Sequence, residues 1–241
     1  MALAKRTVMV NFSGGKDSTV AILETLKVYP KNEIILCYQD TGADYLETPA
    51  HVELIAKIFE LPLVVIKAKR DFFAQVKERG YFPTADCRLC TSDLKRDATN
   101  KWIRTHRNEL GNELIIVSGI RGEESKRRSL LPEREEHPTT LKNGTFKATT
   151  WYPCLHFKED EIYEKIAAEG LPLHPVYKKA GGFSDRVSCW CCIFQRNSAV
   201  REYAEMHPDL GEKLINLEQE VNHRWKDSTS FEDIMSQGRL L

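Results

Sequence analysis

The sequence has no long hydrophobic run, no excess of charge of either sign, no internal repeat and no low-complexity segment. Its apolar runs at residues 61–66 and 114–120 are far too short to cross a bilayer. Asn11 interrupts the N-terminal stretch before it could act as a secretory signal. The 35 Lys and Arg residues balance 35 Asp and Glu residues, which excludes a basic field over the whole chain. These absences favour a cytoplasmic location.

Cysteine is present, but its arrangement argues against structural disulfides. Seven cysteines are an odd number, and four of them form two CxxC pairs. In a reducing compartment such pairs indicate metal or redox chemistry. The 241 residues, 41% of them hydrophobic, also exclude a small disulfide-stabilised scaffold and can build a proper core.

Strand and helix patterns alternate along the first half of the chain. The predicted strands are 7–12, 33–38, 63–68 and 113–119, and the predicted helices are 17–28, 47–59 and 92–108. Ser92 is the expected N-cap of the last helix. Near-continuous apolar strands that alternate with helices predict an α/β fold, with a mainly parallel twisted sheet covered by helices on both faces.

The second half of the chain has a different sequence pattern from the first. A polar stretch at 129–150 contains Asn143-Gly144 and predicts a hairpin in a mobile flap. Further helices are predicted at 159–168, 199–205 and 209–225, with a cysteine-rich loop at 174–194. Because no composition break requires a second domain, we expect a single domain over 1–241. Its expected parts are a nucleotide-binding core at 1–128, the flap at 129–150 and a small helical, cysteine-containing lobe at 151–241.

The segment Ser13-Gly14-Gly15-Lys16-Asp17-Ser18 places a glycine pair between a strand and an amphipathic helix. Glycines let backbone N–H groups turn toward a phosphate, and the helix N-terminus adds the positive end of its dipole. Val10 stands where a Walker A loop needs glycine, and Asp17 stands where it needs Ser or Thr. The segment predicts a phosphate site of a different class.

This segment resembles the PP-loop of the ATP pyrophosphatase superfamily. The resemblance implies cleavage of ATP between its α and β phosphates, with pyrophosphate held by the loop and the substrate adenylated. It also implies the adenine nucleotide alpha hydrolase-like fold.

Further motifs follow in the order of one family. They are Asp40-Thr41-Gly42, Gly119-Ile-Arg121-Gly-Glu-Glu124-Ser125, Trp151-Tyr-Pro153, Lys158-Glu-Asp160 and His174-Pro175-Val-Tyr177. With the cysteine pairs they resemble the phosphoadenosine phosphosulfate (PAPS) reductase family, and within it the DndC-like sulfurtransferases. The similarity spans about residues 7–200.

Several charged residues lie where the strands are predicted to end. Asp40 follows the second strand, from which it could reach ribose or Mg²⁺, or could simply form a turn before Gly42. Arg121 follows the fourth strand and is expected to contact phosphate, with Arg128 joining it. The alternative for 126–128 is a solvated charge cluster. The predicted catalytic residues are Lys16, Asp17 and Arg121. The predicted nucleotide-binding residues are Ser13, Gly14, Gly15, Lys16, Asp17, Ser18, Asp40, Arg121 and Arg128.

The predicted metal ligands are Cys87, Cys90, Cys189 and Cys192. Four thiolates suit either tetrahedral zinc or an iron–sulfur cluster, and the residues alone leave both open. The family resemblance implies a 4Fe-4S cluster. Cys191 is interpreted as a spare ligand, a sulfur-handling thiol or a small buried residue. The remaining cysteines, Cys37 and Cys154, are predicted to be core or loop thiols, and His137, His156 and His174 to be structural.

Two departures from the family bear on function. The last residues, 231–241, contain no cysteine of the kind that attacks PAPS, and the loop keeps Lys16 and Asp17, which PAPS reductases tend to lose. We therefore expect an adenylating sulfurtransferase that uses ATP with Mg²⁺ and forms AMP and pyrophosphate. The resemblance implies a nucleic-acid acceptor and a sulfur donor such as a cysteine desulfurase. The alternatives are a sulfonucleotide (PAPS or APS) reductase and a nucleotide-binding module with structural zinc.

Overall fold

The computed structural model describes residues 6–236, and within them six strands form one sheet in the order β3-β2-β1-β4-β6-β5. β1 pairs in parallel with β2 and β4, β4 pairs in parallel with β6, and β5 is antiparallel to β6 at one edge. The predicted α/β fold with a mainly parallel sheet is confirmed. The strands are β1 (Arg6–Asn11), β2 (Ile34–Asp40), β3 (Leu63–Lys67), β4 (Glu113–Ser118), β5 (Arg134–Glu136) and β6 (Lys147–Trp151).

Helices connect and flank these strands, and none within residues 6–236 is long and apolar enough to cross a membrane. A π-helical segment precedes the fourth α-helix. The helices are α1 (Lys16–Val28), α2 (Thr48–Phe59), α3 (Phe72–Arg79), the π-helical segment (Cys90–Asp97), α4 (Ala98–Thr105), α5 (Arg107–Leu110), α6 (Lys126–Ser129), α7 (Glu159–Ala168), α8 (Asn197–Met206), α9 (Pro208–Val221) and α10 (Phe231–Ser236).

The predicted helix over 92–108 is wrong in its start and its continuity. The chain already turns helically at Cys90, with π geometry, and Ser92 lies inside this segment rather than at its N-cap. The Ser92 hydroxyl contacts the Leu89 carbonyl and the Asp93 carboxylate, so it does not cap a backbone N–H of the next turn. The helix then breaks at His106, whose φ of −107° is not helical.

Other boundaries differ for local reasons. α9 ends at Val221 rather than at residue 225, because Asn222 adopts a left-handed conformation with φ 47°. α3 was not predicted from the sequence, although Asp71 caps it by accepting a hydrogen bond from the Ala74 N–H at 2.7 Å. In the flap, the antiparallel pair is present, but β6 begins only after the Asn143-Gly144 turn and extends the sheet beside β4.

The described residues form two compact units. We call residues 6–39, 46–66 and 99–175 the sheet unit, and residues 40–45, 67–98 and 176–236 the cysteine unit. In the sheet unit α1 packs against α7 over a core of aliphatic strand residues. The cysteine unit has an aromatic core that includes Tyr45, Trp190, Tyr203, Trp225 and Phe231. The single domain over 1–241 stays a prediction, and its ends, 1–5 and 237–241, lie outside the described residues.

Candidate functional site

The sheet unit has a topological switch point at β1. The neighbours of β1 are β2 on one side and β4 on the other, and Asn11 at the end of β1 lies opposite Ser118 at the end of β4. Open α/β sheets bind ligands in the crevice outside the strand ends at such a point. The strand order therefore brings the glycine loop after β1 beside the segment that carries Arg121 after β4.

The glycine loop is shaped to receive an anion. Gly14 has φ 77°, a conformation that glycine adopts without strain, and Gly15 occupies the N-cap of α1 without a side chain to cap it. The Ser18 hydroxyl donates to the Gly15 carbonyl at 2.8 Å and accepts from the Ser13 N–H at 3.3 Å. These bonds hold the loop in place while the first turn of α1 presents its positive dipole end.

Gly119 is a further residue of this site, which the sequence motif contained without a role of its own. A Cβ atom at Gly119 would lie 2.5 Å from the Asp17 carbonyl oxygen and 2.7 Å from the Ser18 nitrogen. Only glycine lets the end of β4 approach the start of α1 this closely. The sequence signal that could have identified Gly119 is a glycine directly after a buried strand.

Two buried cations lie at the start of α1. Lys16 and Arg121 are 5% and 6% exposed, although both carry a charge. Arg121 Nε donates to Asp17 Oδ1 at 2.5 Å, and Lys16 Nζ lies 3.4 Å from Asp17 Oδ2. Burial by itself would lower the pKa of Arg121, but Asp17 and nearby glutamates outweigh it and raise that pKa. The structure therefore brings together the three residues predicted to be catalytic.

Two glutamates complete this charged group. Arg121 Nη1 lies 2.5 Å from Glu123 Oε2, and its Nη2 lies 3.8 Å from Glu159 Oε1. The same Glu159 oxygen lies 3.0 Å from Lys16 Nζ. Neither glutamate was assigned a role from the sequence. Glu159 reaches Lys16 from a distant part of the chain, whereas Glu123 contacts Arg121 from two residues away.

Arg128 and Asp40 make other contacts. Arg128 forms an ion pair with Glu124, four residues earlier, and its side chain is 38% exposed. Asp40 belongs to the cysteine unit, where Oδ2 lies 2.8 Å from Lys67 Nζ and Oδ1 accepts from the Gly42 N–H at 2.9 Å. The second bond is the turn contact expected of an Asp before glycine. Nucleotide binding by Arg128 and Asp40 stays a prediction.

A histidine pair lies beneath the glycine loop. His51 and His174 are 5% and 1% exposed, and their rings meet edge to face with centroids 4.9 Å apart. Both rings lie close to where a Cβ of Gly14 would be, and His174 Nε2 is 3.1 Å from the Thr48 hydroxyl. Burial lowers the pKa of His51 to about 4, and burial together with His51 lowers that of His174 to about 3. The site therefore rests on two neutral imidazoles.

Two cysteines outside the CxxC pairs are fully buried, in the positions predicted for core or loop thiols. Cys154 lies under the glycine loop, with Sγ 3.5 Å from the Asp17 carbonyl oxygen, and burial raises the pKa of its thiol. Burial likewise raises the pKa of Cys37 to about 12. A thiol that resists ionisation is a poor nucleophile, so neither cysteine is suited to sulfur chemistry.

The four cysteines predicted to bind metal all belong to the cysteine unit. Cys90 opens the π-helical segment, and the exposed Cys87 precedes it in a turn where its N–H donates to the Thr84 hydroxyl. Cys189 forms a β-bridge with Asp44. A tight turn then follows, in which the Cys192 N–H donates to the Cys189 carbonyl.

Cys191 is placed differently from its neighbours. It is fully buried among the aromatic side chains of the unit, and the Trp225 indole N–H donates to its carbonyl at 2.7 Å. Burial, followed by the charges of Cys189 and Cys192, raises the pKa of its thiol well above the usual value. These contacts match the small buried residue among the three interpretations left open by the sequence.

Lys95 marks where the predicted ligands converge. Burial would lower the pKa of this lysine, but Cys189, Asp44, Cys90 and Cys192 act on it together and raise that pKa. Burial, with Asp44 next in importance, raises the pKa of Cys189 to about 12. Burial and then Cys192 raise that of Cys90. Three of the four predicted ligands therefore act electrostatically on one lysine, whereas Cys87 is exposed.

The donor chemistry of this group fits a metal held by thiolates, since cysteine sulfur suits zinc and iron–sulfur clusters alike. Within residues 6–236, however, no three His, Cys, Asp or Glu side chains are arranged to hold a metal ion. Thiols must lose their protons to bind a metal, which makes metal affinity depend on pH.

Comparison with known proteins identifies the family. The model of the phosphoadenosine phosphosulfate reductase domain matches residues 7–195, and the chain belongs to this family of PP-loop enzymes. This confirms the family resemblance noted in the sequence. Among solved structures, PAPS reductase from Candida auris in a phosphate complex shares the fold, with a TM-score of 0.53 and 14% identity over 77% of this chain and 82% of that one.

The curated relatives are longer proteins. The uncharacterized protein MJ0066 of Methanocaldococcus jannaschii is 30% identical over 213 residues, which are 88% of this chain and 42% of that protein. MJ0973 of the same organism is 28% identical over 212 residues, covering 87% of this chain and 47% of that protein. The chain thus spans about half the length of these relatives.

Proposed function

We propose that this chain binds ATP at the glycine loop and catalyses its AMP- and pyrophosphate-forming cleavage to activate an acceptor for sulfur transfer. The observation that carries the proposal is the buried pair Lys16 and Arg121 beside an intact loop at the switch point of the sheet. Two buried cations and a helix N-terminus can neutralise the β and γ phosphates as pyrophosphate leaves.

The proposed role of each residue follows from its position in the site. The loop N–H groups and the Ser13 and Ser18 hydroxyls bind the β and γ phosphates, and Lys16 and Arg121 stabilise the charge that develops on the leaving pyrophosphate. An acceptor oxygen attacks the α phosphorus as the bond to the bridging oxygen breaks. A sulfur nucleophile then displaces AMP from the adenylated acceptor. Asp17 orients Arg121 through its 2.5 Å bond.

The four cysteines predicted to bind metal are the basis for the sulfur-transfer step of the proposal. Cys87, Cys90, Cys189 and Cys192 would hold a 4Fe-4S cluster, which when bound would supply iron on which sulfide can be held. The sulfur donor in this proposal is a persulfide-forming enzyme such as a cysteine desulfurase, acting with a thiol that reduces the persulfide, so that sulfide is released and a disulfide forms. The acceptor class is nucleic acid, as in the DndC-like sulfurtransferases that the sequence resembles.

The test of the proposal is AMP and pyrophosphate formation from ATP with Mg²⁺, sulfide and RNA or DNA acceptors under anaerobic conditions. Lys16→Ala and Arg121→Ala should each lower the rate about 10²- to 10³-fold, the loss typical when one donor to a developing charge is removed. Arg127→Ala, which removes an exposed arginine, is the matched control and should keep the rate. ADP as the product, or equal rates in all variants, would refute the proposal.

The second candidate is a sulfonucleotide reductase, which the match to the PAPS reductase domain over residues 7–195 favours. Sulfite release from PAPS or APS in the presence of thioredoxin would support it. If the protein instead releases no sulfite while forming AMP and pyrophosphate from ATP, the first function holds.

A further inference from the structure

The carboxylate of Glu159 contacts both buried cations of the site. One oxygen, Oε1, is 3.0 Å from Lys16 Nζ and 3.8 Å from Arg121 Nη2. The Glu159 side chain is 51% exposed, whereas those of Lys16 and Arg121 are 6% and 7% exposed. The Glu159 carboxylate therefore lies between solvent and the two buried cations, and it interacts with both of them.

The net charge of this group of side chains affects how it can bind an anion. Lys16 and Arg121 carry two positive charges, and Asp17, Glu123 and Glu159 carry three negative charges against them. A group with this balance repels a further anion at short range. Departure of one carboxylate would remove this repulsion and let the loop N–H groups and the two cations bind a pyrophosphate group.

Glu159 is the carboxylate best placed to leave. Asp17 is part of the glycine loop and makes the 2.5 Å bond to Arg121 Nε. Glu159 is the first residue of α7, but its carboxylate does not cap that helix, since Glu161 accepts the bond from the Lys158 N–H at 2.7 Å. The backbone N–H of Glu159 bonds Glu123 at 3.0 Å, and rotation of the Glu159 side chain leaves that bond intact.

We propose that Glu159 occupies the phosphate position on Lys16 and Arg121 in the free protein, and that the ligand must displace it, so that this side chain sets the affinity of the site for pyrophosphate groups. The inference rests on the proposed phosphate-binding role of the glycine loop. It assigns to Glu159 the role of a specificity-determining residue that disfavours weakly charged anions.

The experiment measures the binding of inorganic pyrophosphate by calorimetry, with EDTA and without added metal. Glu159→Gln keeps the shape of the side chain and removes its charge, and it should bind pyrophosphate about tenfold more tightly than the natural chain. Asp160→Asn is the matched control, because it removes one charge from the same exposed first turn of α7 without an ion pair to Lys16 or Arg121. Its affinity should stay within about twofold of the natural chain.

A double-mutant cycle separates competition from an indirect effect. In the Lys16→Ala background, Glu159→Gln should give a clearly smaller gain, because one of the two cations for which the anions compete is gone. An unchanged or weaker affinity in Glu159→Gln, or an equal gain in Asp160→Asn, overturns the inference while leaving the phosphate site in place. Loss of pyrophosphate binding in every protein overturns both the inference and the phosphate site. Binding without AMP formation from ATP overturns only the proposed reaction.

Discussion

At the scale of the residue, Gly119 gives the most direct prediction. Gly119→Ala would place a methyl group 2.5 Å from the Asp17 carbonyl, and backbone rather than a flexible side chain would have to move. We expect a loss of about 1–3 kcal/mol in the free energy of unfolding and weaker pyrophosphate binding, because the shift displaces the start of α1. Urea unfolding and calorimetry measure the two effects.

Gly170→Ala is the control for this substitution. Gly170 has φ 62° but open space around the position of a Cβ atom. Its replacement should cost about 1–2 kcal/mol through backbone strain alone. Pyrophosphate affinity should not change in this variant. Equal affinities of the natural chain and Gly119→Ala would show that the approach of β4 to α1 does not shape the site.

Residues of the site could be predicted from sequence where the signal is local. Lys16 and Asp17 follow the glycine pair directly, so one short motif identified them. Glu159 meets Lys16 and Arg121 only after the sheet has formed, whereas Glu123 contacts Arg121 from two residues away. Glutamates at the starts of helices are common. No spacing in the sequence distinguishes these two from the other acidic residues.

At the scale of the element, the π-helical segment Cys90–Asp97 depends on Asp93. The Asp93 carboxylate accepts hydrogen bonds from the Gln75 amide at 2.8 Å and from Arg79 at 3.2 Å, which tie the segment to α3. We expect Asp93→Ala to lower the iron or zinc retained per chain, although every thiol remains, because the segment that carries Cys90 loses its anchor. Metal and acid-labile sulfide analysis after anaerobic purification measures the change.

Asp97→Ala is the matched control, since Asp97 ends the same segment and its carboxylate bonds the neighbouring Arg96. It should retain as much metal as the natural chain. The same purification separates the two metals left open by the sequence: iron with sulfide indicates a cluster, and zinc without iron indicates a structural ion. Full retention in Asp93→Ala would contradict the anchoring role.

Elements were predictable where periodicity and end signals agree. α7 has the predicted bounds, because an acidic first turn and buried Ile162 and Ile166 mark one face of the helix. α3 was missed because a short helix with two adjacent phenylalanines has an unclear period. The place of β6 in the main sheet was not predicted, because its sequence, KATTW, is polar and the strand gains that place by pairing with β4. Pairing of this kind cannot be derived from a five-residue pattern.

At the scale of the whole molecule, the histidine pair links stability to pH. His51 and His174 have an ordinary pKa of 6.5 when unfolded, but about 4 and about 3 in the folded chain. As the pH falls below about 6.5 the unfolded chain takes up protons first, so the free energy of unfolding decreases. The decrease continues until the folded values are reached and amounts to at most about 1.4 kcal/mol per pH unit for each imidazole.

Chemical unfolding between pH 7.5 and pH 4.5 tests this linkage. His51→Gln removes one titrating group. The free energy of unfolding of this variant should therefore fall less steeply with decreasing pH than that of the natural chain, whatever its value at pH 7.5. The exposed His156 provides the control, and His156→Gln should keep the slope of the natural chain. Parallel slopes in the natural chain and His51→Gln would contradict the prediction.

The strand order has a consequence for synthesis of the chain. The glycine loop follows β1, near the start of the sequence, but Arg121 follows β4, and the two meet only when β1 and β4 pair. During translation the loop therefore leaves the ribosome long before its second cation exists. A nascent chain that ends before β4 carries the complete phosphate-loop motif without the buried ion pair, so capacity to bind the phosphates should arise late and abruptly as the chain grows.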